Sequence, residues 1–117
     1  MAAPNLLAAS TVTGKTALYN LTTATSNVIT ASSNTVSKIE SVILTNSTGN
    51  ATSANVFINR SSTAYYLGGT VSIPANSVLI LIGKDSTFYL EEGDVIQANA
   101  SANSAVVMTA GYELIAS

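Results

Sequence analysis

A chain of 117 residues with neither His nor Cys, and with charged side chains at only 9% of positions, holds few of the groups from which enzymes take bases, nucleophiles and metal ligands. Its formal net charge of -2 offers no positive field to hold phosphates, and Lys15, Lys38, Arg60 and Lys84 are scattered, so direct nucleic-acid binding is not expected. No apolar run approaches the roughly eighteen residues of a membrane-spanning helix, and without Cys no disulfide can staple the fold.

The polar remainder is mostly Ser, Thr and Asn, which favours strands and tight turns over helices with paired surface charges. One all-β domain, large enough to close its own core, is the expectation. Residues 1–12 read as a docking arm, because the first cation is Lys15 and the apolar stretch is short for a signal peptide. Two adjacent leucines in that arm, Leu6 and Leu7, have little reason to remain in water, which marks them for contact with a neighbouring subunit or a particle surface. Residues 13–117 read as a single β-sandwich domain.

Strand-length runs then follow at a spacing of roughly ten residues, the pattern of a sandwich or barrel. They span 15–22, 27–31, 36–45, 54–59, 64–67, 70–73, 77–82, 86–90, 94–100 and 105–115. Between them, Ser47-Thr48-Gly49-Asn50, Gly68-Gly69 and Glu91-Glu92-Gly93-Asp94 put glycine where a reversing chain can need positive φ. Pro74-Ala75-Asn76 separates two further runs with a residue that cannot donate to a ladder. These read as hairpin corners. No segment shows helical periodicity with caps, so the pattern predicts an antiparallel β-sandwich, jelly-roll-like, with an extended N-terminal arm and less than about 15% helix.

Two runs break the alternation expected of a sheet with one wet face. In Val42-Ile43-Leu44 and in Val78-Leu79-Ile80-Leu81-Ile82, consecutive apolar residues point to opposite faces, so both faces call for burial. A loop or the N-terminal arm roofs the second face, or a partner chain does. Regular alternation puts Ile80 and Ile82 on one side and Leu79 and Leu81 on the other, and the outward pair is the candidate interface. Tyr65 and Tyr66 face opposite sides of a strand, either as core plus exposed edge or as a sugar-stacking or protein-anchoring pair.

Tests for chemistry find little. The carboxylates of Glu91, Glu92 and Asp94, with Asp85 nearby, lack the spacing of a calcium loop, and adjacent carboxylates on a strand end diverge too far for glycoside hydrolysis; a solvated turn is the reading. A serine nucleophile has no His as base, and the nearness of Lys38 and Lys84 to serines is expected by chance in so Ser-rich a chain. No catalytic, cofactor-binding or metal residue is assigned. Acceptor patterns for N-glycosylation at Asn20, Asn46, Asn50, Asn59 and Asn99 read as an accident of composition.

Several short motifs occur in a set order: Ala3-Pro4-Asn5-Leu6, then Thr13-Gly14-Lys15-Thr16-Ala17, then Lys38-Ile39 opening an apolar strand. Arg60-Ser61-Ser62-Thr63-Ala64-Tyr65 with Leu67 and Val71-Ser72-Ile73-Pro74-Ala75-Asn76-Ser77 come next. Ile82-Gly83-Lys84-Asp85 and Tyr89-Leu90-Glu91-Glu92-Gly93-Asp94 complete the set. Taken together over nearly the whole chain, they resemble small virion structural proteins of tailed phages, head decoration or neck and tail accessory proteins of the cyanophage or marine phage type. The resemblance implies a capsid decoration or cement protein bound to the head surface, or alternatively a neck, tail or fibre component with a host-glycan adhesion role. It further implies the major capsid protein or tail and neck proteins as partners, a symmetric homo-oligomer with a trimer foremost, and location in a virion assembled in the host cytoplasm. No cofactor, nucleic acid or membrane enters that reading.

Overall fold

In the computed structural model, which describes residues 11–116, the described residues form nine strands and one short 3-10 turn, Lys84–Ser86. The strands are β1 (Thr11–Asn20), β2 (Ser26–Thr30), β3 (Thr35–Asn46), β4 (Thr52–Arg60), β5 (Thr63–Ile73), β6 (Ser77–Ile82), β7 (Phe88–Leu90), β8 (Val95–Ala100) and β9 (Val106–Ala116). One sheet has the order β1-β9-β3-β6, with β7 also paired to β3 beyond the end of β6; the other has the order β2-β8-β4-β5. Every pairing is antiparallel.

The pairing is concentric in sequence. β4 pairs with β5, β3 with β6 and β7, β2 with β8, and β1 with β9, so the chain is one long hairpin rolled into two facing sheets. This is the jelly-roll topology. Only β4 and β5 are both consecutive in the chain and hydrogen-bonded to each other. The corners expected at 47–50, 74–76 and 91–94 therefore carry the chain from one sheet to the other rather than closing hairpins. The single hairpin turns instead on Ser61 and Ser62, whose φ values of 53° and 65° supply the two positive dihedrals of a type I′ turn without a glycine.

Gly68-Gly69 is no corner either. The runs 64–67 and 70–73 form one strand, β5, whose register against β4 shifts twice, between Ala54 and Val56 and between Val56 and Phe57. Extra residues on β5 absorb both shifts as bulges, with Thr70 at φ 49°. Gly68 serves close packing there: a Cβ would stand 3.0 Å from Leu81 Cδ1 and 3.1 Å from Val71 Cγ1, because the edges of the two sheets meet at that point. Of the glycines at the expected corners, Gly93 alone has positive φ, at 91°.

Alternation decides what enters the core. On β8, Ile96, Ala98 and Ala100 turn inward while Val95, Gln97 and Asn99 stay half-exposed. On β3, Ile39, Val42 and Leu44 are fully buried across a bulge at Glu40. Leu21, Ile73, Leu90 and Met108 complete the largest buried side chains, each stabilising the fold by roughly 1.5–3 kcal/mol. Alanines at 54, 98, 100, 105 and 110 in the same core let the two sheets approach closely.

Asn46, at the end of β3, pins the far end of the sandwich. Fully buried, its Nδ2 donates to the carbonyls of Asn50 (2.8 Å), Ile73 (3.1 Å) and Pro74 (3.2 Å), while its Oδ1 accepts from Thr48 N (3.0 Å) and Oγ1 (2.7 Å). One amide thus satisfies backbone groups in both the β3–β4 and β5–β6 connections.

Candidate interaction surfaces

The jelly roll brings three connections to one end: the turn between β2 and β3, the β4–β5 hairpin, and the loop between β7 and β8. Asp94 holds them together. Its carboxylate, 2% exposed, accepts from Arg60 Nε at 2.8 Å, from Arg60 Nη2 at 2.5 Å and from Glu91 N at 2.9 Å. Its backbone carbonyl accepts from Ala31 N at 2.9 Å, and Gly93 N donates to Ala31 O at 2.8 Å. Glu91 adds a second, exposed contact to Arg60 Nη2 at 3.3 Å, and the Asn34 N–H donates to the Glu92 carboxylate.

Burial pushes the Asp94 carboxyl up, but the Arg60 hydrogen bonds, the Glu91 N–H and the guanidinium charge together outweigh it and hold the group below the usual carboxylate range. Arg60, hydrogen-bonded to Asp94, is driven further into its charged form. The cluster expected to be a solvated turn is therefore a half-buried ion-pair latch. No local signal marks it, since the partners are 34 residues apart. Among the described residues no group of three or more potential metal ligands occurs.

Beyond the latch the hairpin presents its aromatics. Tyr65 and Tyr66 are 57% and 60% exposed, on opposite sides, so neither is core. Tyr66 lies against Phe57 with ring centroids 5.0 Å apart and planes tilted by 39°. Tyr65 pairs with Ile58 across the hairpin and, with Arg60, lines an open concavity.

The outer face of the β2-β8-β4-β5 sheet is tied laterally by amides. Asn99 Nδ2 donates to Thr25 Oγ1 (3.0 Å), Asn55 Nδ2 to Asn99 Oδ1 (2.9 Å), and Thr70 N to Asn55 Oδ1 (2.7 Å). A second row links Asn59 to Gln97 (3.1 Å) and Gln97 to Asn27 (2.7 Å). Asn55, Asn59 and Asn99 thus serve the sheet, and Asn46 is buried in a network of its own.

The other sheet exposes apolar side chains outward. Leu18 on β1 is 70% exposed, Ile80 on β6 is 65% exposed, and Val78, Val12 and Tyr89 are also in solvent. The interface pair expected on β6 is split, however. Between Val42 and Ile43 the register of β3 against β6 shifts, so Ile43 faces Ile80 while Val42 faces Ile82, and Leu81 is the extra residue. That bulge reverses the alternation: Ile82 enters the core, Ile80 stays outside, and Leu79 and Leu81 both pack against the core. Leu6 and Leu7 lie outside the described residues, as does the rest of the expected arm except Thr11 and Val12, which open β1.

No protein-family model and no curated protein sequence matches the chain. Solved structures do. A chain of the acid-stable capsid of the Helicobacter pylori bacteriophage KHP30 aligns over 92% of this chain and 89% of its own, at 12% identity and a TM-score of 0.56. A chain of the Bacillus endospore appendages, a family of disulfide-linked pili, aligns over 92% of this chain and 88% of its own, at 11% identity and a TM-score of 0.50. At such identities the likeness is one of fold: this antiparallel jelly-roll sandwich is shared, nearly end to end, with chains of a phage capsid and of a pilus.

Proposed function

We propose that this chain is a structural protein of a phage virion, a capsid decoration or cement protein that binds the head surface as a symmetric oligomer. The alignment with the KHP30 capsid chain over nine-tenths of both chains carries the reading. Composition supports it, with few groups suited to catalysis, and so does a sandwich held by a core, an amide ladder and an ion-pair latch. The pilus likeness does not extend to disulfide linkage, because the sequence has no Cys; the joining proposed here is by non-covalent surface contacts. Exposed Leu18, Val78 and Ile80, the hairpin tyrosines Tyr65 and Tyr66, and the leucines Leu6 and Leu7 are the side chains assigned to such contacts. The protein acts by assembly, not by catalysis.

Mass spectrometry of purified particles, with immunogold electron microscopy to separate head from tail, tests this directly. Label on the head surface is expected; particles free of the protein refute a virion role. The concavity beside Tyr65 favours a second reading, a tail or fibre component that holds a host-surface glycan against the aromatic ring. Label on the tail together with glycan-array binding that Tyr65→Ala abolishes selects that alternative.

A further inference from the structure

The register of the β1-β9-β3-β6 sheet sets its outward side chains in rows across all four strands. One row reads Leu18, Thr109, Ile43, Ile80. The row on one side of it reads Asn20, Val107, Thr45, Val78. On the other side, past Thr16, Gly111 and Ser41, comes Gly14, Glu113, Lys38 and, on β7, Tyr89. These side chains alternate with Tyr19, Met108, Leu44 and Leu79, which turn toward the core.

Each row is complementary to itself when reversed. A two-fold axis parallel to the strands, midway between β9 and β3, exchanges the first and fourth members of a row and the second and third. Leu18 then meets Ile80 of a second copy, and Thr109 meets Ile43. Lys38 meets Glu113, twice by symmetry. Tyr89 falls over Gly14, where the space beside the missing side chain is open. An axis at right angles, through Ser41 and Gly111, would instead lay Lys38 on Ile43 and Glu113 on Thr109 and bury both charges with no opposite charge facing them across the contact. Among the described residues, neither Lys38 nor Glu113 has an ion-pair partner within the chain.

The chain's own N-terminal leucines cannot reach Leu18 or, beyond it across the sheet, Ile80. Leu7 is four residues from Thr11, a reach of at most about 14 Å, and Leu6 gains only one residue more. Leu18 lies seven residues along β1 from Thr11, about 24 Å away.

We propose that the outer face of the β1-β9-β3-β6 sheet is a two-fold self-association surface, occupied by a second copy of this chain with Leu18 against Ile80 and Lys38 against Glu113. The sheets stack as aligned sheets do, roughly 10 Å apart and with strand directions within about 30° of parallel. Two-fold pairing is the symmetry proposed for this face, whereas the phage-protein resemblance implies a trimer foremost. Four strands about 4.8 Å apart and four rows about 6.7 Å apart give a footprint on the order of 500 Å² per copy. A standard interface buries about 800 Å² per partner, so the pair is weak in solution and strengthened where copies are held at high local concentration.

Sedimentation equilibrium of the purified full chain over a concentration series tests the pairing, independently of whether the protein is found in particles. Wild type is expected to dimerise with rising concentration. Lys38→Glu and Glu113→Lys should each weaken dimerisation by about tenfold or more, and the double variant should recover to within about threefold of wild type. Leu18→Asp should be monomeric with an unchanged melting temperature, because Leu18 stands outside the core. A wild type still monomeric at roughly 1 mM overturns the proposal. So does a double charge swap no better than the single reversals, since Lys38 and Glu113 facing each other across the contact must give recovery when both are exchanged.

Discussion

Replacing Asp94 by Asn keeps the size of the side chain and removes the charge that holds the hairpin end. Three donors converge on the carboxylate: two from Arg60 and the Glu91 N–H. An amide offers one oxygen to all three and turns its own NH₂ toward at least one of them, so a buried donor loses its acceptor. Hydrogen bonds to charged groups contribute about 1.5–3 kcal/mol each in net terms. Arg60 is 45% exposed on its side chain and can turn toward water or toward Glu91, which returns part of that loss. The expected cost is about 2 kcal/mol, read as a lower urea midpoint at unchanged slope. Arg60→Ala should cost less, and the double variant should fall short of the sum by about 1 kcal/mol, because the two side chains act on one contact. The pH dependence supplies an independent check. With a native pKa held below its unfolded value, Asp94 binds fewer protons folded than unfolded, so stability rises with pH through that range. Its contribution is complete above about pH 4 and is lost as pH falls through the lowered native value. Between pH 7 and pH 3 the wild type should therefore lose more stability than Asp94→Asn. Equal urea midpoints at pH 7, or parallel losses on acidification, would refute the latch.

Ile80→Asp should leave the thermal melt within about 0.5 kcal/mol of wild type, whereas Ile82→Asp should unfold the domain, because the bulge puts a charge at position 82 into the core; equal melts would show regular alternation instead. Gly68→Val should cost about 1–3 kcal/mol by driving Leu81 away from β5, and Leu81→Ala in the same chain should recover part of it; a Gly68→Val variant as stable as wild type would show that the sheet edges do not meet there. Asn46→Ala leaves the carbonyls of Asn50, Ile73 and Pro74 and the Thr48 N–H without this partner and should lower stability by about 1–3 kcal/mol, with faster amide exchange in the 47–51 and 74–76 connections as the distinguishing readout.

Period-two alternation, β-branched content and Gly/Pro punctuation act over a few neighbouring residues, so the all-β class and eight of the nine strands are legible in the sequence within a few residues at each end. The ninth, β5, reads as two runs because Gly68-Gly69 looks like a turn; only its pairing with β4 and the approach of Leu81 show the glycines to be a bulge and a close contact. Which corner closes a hairpin and which crosses between sheets is decided by concentric pairing of segments far apart in the chain, and a two-serine turn gives no strong local sign of being the one true hairpin. The same long-range register separates Ile80 from Ile82, joins Arg60 to Asp94, and sets Lys38, Glu113, Leu18 and Ile80 on one face. Local sequence determined the strands and the apolar excess on β6. The face that each side chain presents depends on strand register, and a single bulge inverts it, so that assignment belongs to the tertiary structure.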